Sequence, residues 1–134
     1  MIGVHASKPA RKAIRLVMTF QTTSREAGGV TVLDLEGRIT LGEGSALLRE
    51  LIRGQLTGGH TKILINLAGV NYMDSSGLGE LVSGYRAVKG QGGEMKLVNL
   101  NKKVKDLLQI TKLYTIFDIH NNEAEAVASF GANS

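Results

Sequence analysis

Apolar residues recur along this chain in two rhythms, one suited to strands and one to helices. Lys62-Ile63-Leu64-Ile65-Asn66-Leu67 is almost continuously apolar, the pattern of a central strand covered on both faces. Val30-Thr31-Val32-Leu33-Asp34-Leu35 is rich in β-branched residues and lies between Gly28-Gly29 and Gly37. Leu16 to Thr23 reads as a less regular strand, and Gly28-Gly29 makes these two a hairpin. Met95 to Leu100 is a fourth strand and Thr115 to Ile119 a short last one.

Helical spacing takes over between them. Leu47, Leu48, Leu51, Ile52 and Gln55 or Leu56 form one stripe, with Ser45 as the expected cap and Gly58-Gly59 as the stop. Leu78, Leu81, Val82, Tyr85 and Val88 form another, ended by Gly90 to Gly93. Asn101 is placed to cap Lys102 to Ile110, with Val104, Leu107 and Leu108 inward. Asn121 is placed to cap a last helix carrying Ala124, Val127, Ala128 and Phe130. The order β-β-α-β-α-β-α-β-α predicts an α/β domain: a mixed sheet of four to five strands with about four helices packed on it.

Asp74-Ser75-Ser76-Gly77 falls where the central strand gives way to the second helix. A helix start leaves backbone N–H groups unpaired and carries partial positive charge. Asp or Ser there caps the helix, which explains the residues without any further role. The same pole also favours a phosphate, so a hydroxyl here can take about two negative charges without unfolding the chain. The helix face away from the core stripe reads Ser76, Gly79, Glu80, Ser83, Ala87 and Gly90. Interior glycines cost a helix about 1 kcal/mol each against alanine. Small residues on that face suit a partner whose backbone packs closely.

Charge and composition narrow the chemistry. The net charge of +4 comes from Lys8, Arg11, Lys12 and Arg15, all before Met18; the remainder balances at 12 basic and 12 acidic residues. A neutral domain behind a basic tail gives no footprint for nucleic acid. The charge break suggests a boundary: residues 1–17 as a basic tail expected to be disordered, 18–134 as the domain, and Met18 as the natural start. There is no cysteine, and His5, His60 and His120 lack metal-ligand spacing on one helix face. Gly42-Glu43-Gly44-Ser45 lacks the lysine of a P-loop and the third glycine of a dinucleotide fingerprint. Met73 stands where a serine-hydrolase elbow needs glycine, and no histidine is placed beside Ser75 as a base. No run reaches the roughly 18 apolar residues of a membrane span. These readings point to a cytoplasmic protein without catalysis, metal or cofactor of its own.

With Tyr72-Met73-Asp74-Ser75-Ser76-Gly77-Leu78-Gly79 in place, the chain resembles the STAS domain of bacterial anti-sigma factor antagonists. The resemblance covers roughly Val30 to Phe130 and includes the element order. Gly37, Gly92-Gly93-Glu94-Met95 and Leu107 to Leu113 support it. It implies partner switching. The unphosphorylated domain binds an anti-sigma factor, itself a serine kinase of the histidine-kinase-like ATPase type, and so frees a sigma factor. The kinase phosphorylates the serine after the motif aspartate and ejects the antagonist; a serine phosphatase reverses this. Carried over, the phosphoacceptor is Ser75. Asp74, Ser76, Gly77, Leu78, Gly79 and Ser83, with Arg38 and Thr40, are its neighbours and the partner surface. The other reading is a constitutive STAS subunit of a transporter-associated or regulatory assembly.

Two positions depart from the family pattern. Gly37-Arg38-Ile39-Thr40 replaces a run that usually carries two acids, as Gly-Glu-Ile-Asp, and Glu80 stands at an often apolar helix position. If Arg38 reaches the loop, it is expected to pair with phosphorylated Ser75 and slow removal of the phosphate.

Overall fold

The computed structural model describes residues 14–17, as backbone, and 20–131. Strands β1 (Ile14–Val17), β2 (Phe20–Ala27), β3 (Val30–Ile39), β4 (Lys62–Met73), β5 (Glu94–Val98) and β6 (Ile119–His120) form one sheet in chain order. The first three are antiparallel neighbours, and β3 to β6 run parallel. Gly28 and Gly29, at φ 58° and 83°, make the expected hairpin between β2 and β3. Two successive left-handed residues match the twist of paired strands, and glycine adopts them without a Cβ penalty.

Each parallel crossover carries a helix: α1 (Glu43–Thr57), α2 (Ser75–Gly90) and α3 (Lys102–Ile110), the last followed by a 3-10 turn at Leu113–Thr115. Strand alternation then decides what each helix covers. Leu33, Leu35, Ile63, Ile65, Leu67, Met95 and Leu97 point to one face and pack with Leu48, Leu81 and Leu108 of the three helices. Val30, Val32, Leu64 and Val98 point to the other and meet Ala126 of α4 (Glu123–Ala128) and Phe130. Truncating a fully buried leucine such as Leu81 in a core of this kind costs about 2–5 kcal/mol. An ion-pair fork ties the short last helix down: Arg25 Nε lies 2.6 Å from Asp34 and Arg25 Nη2 lies 2.6 Å from Glu123.

The local expectations fail at several ends. Leu16 to Thr23 is not one strand: β1 ends at Val17 and β2 begins at Phe20, with residues 18 and 19 outside the described residues. The described sheet therefore has six strands. Because β1 pairs with β2, residues 14–17 belong to the sheet and not to the tail; residues 1–13 lie outside the described residues. Ser45 is not a cap. Helix α1 starts at Glu43 after Gly42, and buried Ser45 Oγ donates back to the Gly42 carbonyl at 3.3 Å. The third helix keeps its expected bounds, Lys102–Ile110. Thr115 to Ile119 is mostly turn, and β6 keeps two residues. Asn122, not Asn121, caps the last helix by accepting from Glu125 N–H at 3.0 Å.

Candidate functional site

The site lies where β3 and β4 end and α2 begins. Asp74 is extended (φ −98°, ψ −176°) and is the N-cap of α2. Its Oδ1 accepts from the backbone N–H groups of Ser76 (2.9 Å) and Gly77 (3.1 Å), and also from the Ser76 hydroxyl. Its Oδ2 accepts from the Leu41 N–H at 3.0 Å, and its own N–H donates to the Ile39 carbonyl at 3.2 Å. One carboxylate thus satisfies orphan donors of the helix and staples the β3–α1 loop to them.

The two serines are thereby made different. Ser76 is half-buried with its hydroxyl committed to Asp74. Ser75, the first residue of α2, is exposed, and its hydroxyl has no hydrogen bond among the described residues. The first turn of α2 holds no acidic residue. A dianion on Ser75 would therefore sit at the positive end of a helix whose first turn adds no negative charge of its own.

Burial pushes the Asp74 carboxyl up, but hydrogen bonds from the Ser76 hydroxyl and from the N–H groups of Leu41, Gly77 and Ser76 outweigh it. The carboxyl is held below the ordinary 3.8. A carboxylate lowered in the fold adds stability above its unfolded pKa and loses it as pH falls through the folded value. Asn keeps the capping oxygen without the charge. Asp74→Asn is thus expected to be less stable than wild type at neutral pH, with the gap narrowing as pH falls below about 4. Urea unfolding at both ends of that range reads it; a gap unchanged with pH would show that the charge plays no part.

Gly77 and Leu78 are buried behind the loop, and Leu78 packs in the main core. Gly79 and Ser83 are exposed, and a Cβ built at Gly79 meets nothing within 4 Å. The fold does not require glycine there. Glu80 pairs with Arg49 of α1 at 3.0 Å, closing the side of the same face. Between the two helices, Ile52, Ser83, Gly84 and Ala87 line a cleft of about 10 Å³, enough for one water and too small for a metabolite. Among the described residues no group of three or more His, Asp and Glu is placed to hold a metal.

Arg38 and Thr40 flank this site differently from expectation. Ile39 and Met73 are parallel neighbours facing α2, so Arg38 and its neighbour Tyr72 leave the sheet on the opposite face. There the Arg38 guanidinium lies 4.5 Å from the Tyr72 ring centroid. The structure brings Arg38 to Tyr72, not to Ser75. Thr40 is half-buried, and its carbonyl accepts from Ser45 N–H at 3.1 Å. Leu41 and Tyr72 belong to the site by geometry alone. Leu41 enters through a backbone N–H and Tyr72 through strand register, neither of which leaves a mark in sequence. His60 is exposed after α1, and His120 lies across the sheet beside Asp118 and Ser129.

A mixed sheet whose parallel strands end at a capped Asp-Ser-Ser-Gly helix start is the arrangement of one domain family. The chain belongs to the STAS domain family, whose model matches residues 21–126. It is similar to the anti-sigma-B factor antagonist of Bacillus subtilis, 37% identical over 87 residues, 65% of this chain and 78% of that one. It is also similar to the anti-sigma F factor antagonist of Paenibacillus polymyxa, 37% identical over 65 residues; the match spans 48% of this chain and 56% of that relative. The crystal structure of an anti-sigma factor antagonist from Mycobacterium paratuberculosis shares the fold, with a TM-score of 0.73 at 19% identity. It covers 84% of this chain and 94% of its own.

Proposed function

We propose that this protein is an anti-sigma factor antagonist acting by partner switching, with Ser75 as the phosphoacceptor. The observation that carries the reading is the inequality of the two serines: Asp74 occupies the Ser76 hydroxyl and leaves that of Ser75 exposed at the helix pole. The 37% identity to two anti-sigma factor antagonists supplies the class of partner. That partner is an anti-sigma factor serine kinase of the histidine-kinase-like ATPase type, and a serine phosphatase restores the unmodified form. ATP enters with the kinase, so this chain needs no cofactor and catalyses nothing. It contacts no nucleic acid directly. It works in the cytoplasm without membrane insertion; among the described residues no helix is long and apolar enough to cross a bilayer.

The docking surface is the exposed side of the helix start, Asp74 to Gly79, continued along α2 by Ser83 and along the strand ends by Arg38 and Thr40. A pull-down from native cytosol with wild type, Ser75→Ala and Ser75→Asp tests the reading. Retention of an ATPase-type kinase by Ser75→Ala and its loss with Ser75→Asp is the expected result. The same proteins on all three baits would leave Ser75 as a helix residue only and make the chain a constitutive interaction subunit.

A further inference from the structure

At the carboxyl ends of β3 and β4, the strands and the loop after β3 expose side chains that the core does not use. Leu41 is 80% exposed although its backbone is fixed by the Asp74 carboxylate, so a large apolar side chain is held out in water by a rigid loop. Tyr72 is 37% exposed and carries the Arg38 guanidinium on its ring. Arg38 is exposed and makes no ion pair among the described residues, although Glu36 stands two positions away on the same strand face. A guanidinium stacked on an aromatic ring keeps its edge donors free and has lost much of its rotamer freedom in advance. Rigid aromatic, arginine and apolar side chains grouped in this way are the usual anchors of protein interfaces.

The local charge says what such an anchor fits. Arg38 is the only Lys or Arg between Arg25 and Arg49, and neither β4 after Lys62 nor the start of α2 adds another, so the strand ends offer no run of cations to a polyanion such as nucleic acid or an anionic bilayer. One planar fork, with an exposed leucine three residues further along the chain, matches a single carboxylate near an apolar depression.

We propose that Arg38, Leu41 and Tyr72 form a specificity anchor for the protein partner, with Arg38 paired to an Asp or Glu of that partner and Leu41 seated in an apolar pocket next to it. The proposal rests on the partner-switching reading for the identity of the partner, but not on the phosphorylation of Ser75. Arg38 selects which kinase docks, and Ser75 decides when.

The test measures affinity, by titration calorimetry at two salt concentrations, for the purified protein that the Ser75→Ala bait retains. Wild type, Arg38→Glu, Arg38→Lys, Leu41→Asp and Ser75→Asp are compared, with melting curves for each. Arg38→Glu is expected to bind roughly thirtyfold more weakly or worse and to lose most of the salt dependence, with unchanged melting. Arg38→Lys is expected to fall in between, because it keeps the charge and loses the fork. Reversal of one partner acid to lysine is expected to restore Arg38→Glu. Wild-type affinity for Arg38→Glu together with loss of binding by Ser75→Asp would overturn the anchor and leave the switch standing. Weak binding by Arg38→Glu with wild-type binding by Ser75→Asp would do the reverse.

Discussion

Replacing Gly77 with alanine is expected to cost about 2–3 kcal/mol of folding stability, although the same change inside most helices is favourable by up to about 1 kcal/mol. A Cβ at Gly77 would stand 2.8 Å from both the carbonyl oxygen and the Cγ2 of Ile39, and 2.9 Å from Cγ of Met73. The Ile39 oxygen is the hard obstacle, since it is backbone and already accepts from Asp74 N–H. Moving it away loosens the join between β3 and the start of α2. Gly79, two residues on, provides the contrast. It has open space around its missing Cβ, so Gly79→Ala is expected to gain about 1 kcal/mol from helix propensity. Urea unfolding of the pair decides it. Equal effects of one sign would mean that α2 does not approach the strand end as closely as described.

That contrast also marks where sequence is informative. Asp74-Ser75-Ser76-Gly77 was legible because capping is local: an acid two and three residues ahead of the donors it satisfies is visible in a four-residue window. The apolar runs of β3 to β5 and the stripe of α2 were legible for the same reason, as their period is set by their own geometry. Signals failed where a distant contact decides. Thr115 to Ile119 alternates like a strand, yet Phe117 turns inward to meet the Tyr85 ring edge-on at 5.5 Å, and the backbone around it forms a turn. Glu43 and Gly44 look like loop, but Gly44 packs against the Arg38 and Ile39 backbone, and that close approach lets the helix begin early.

The candidate site divides in the same way. Ser75, the proposed phosphoacceptor, and the capping Asp74 occupy consecutive positions, so the capping pattern could be read. The fork from Arg25 to Asp34 and Glu123 spans 98 residues in sequence at its longer arm and has no local trace. Arg38 could be singled out as an odd charge, but its direction could not. Side-chain parity on β3, fixed by Ile39 facing the core, turns it away from Ser75 and onto Tyr72. The slower dephosphorylation expected from an Arg38–phosphate pair therefore has no geometric support. Arg38→Ala is expected to leave the dephosphorylation rate unchanged.

Phosphate on Ser75 is expected to weaken partner binding by at least about a hundredfold while leaving folding stability within about 1 kcal/mol of the unmodified protein. The two halves of this expectation have separate causes. In the free protein the dianion stays in water at the positive end of α2, an arrangement that favours it slightly. Against a docked partner the same group is stripped of water in a surface built around a neutral hydroxyl, and an unpaired buried charge costs several kcal/mol. A hundredfold change in affinity needs only about 2.7 kcal/mol, so one phosphate suffices without any rearrangement of the domain. Calorimetric titration of the phosphorylated and unphosphorylated protein against the kinase, with melting curves of both, separates the halves. Lost binding with intact melting is the signature of an interface switch. Lost binding with a collapse in stability would instead mean that the phosphate displaces the Asp74 cap from the N–H groups of Ser76 and Gly77, and that the domain is switched by loosening its own helix.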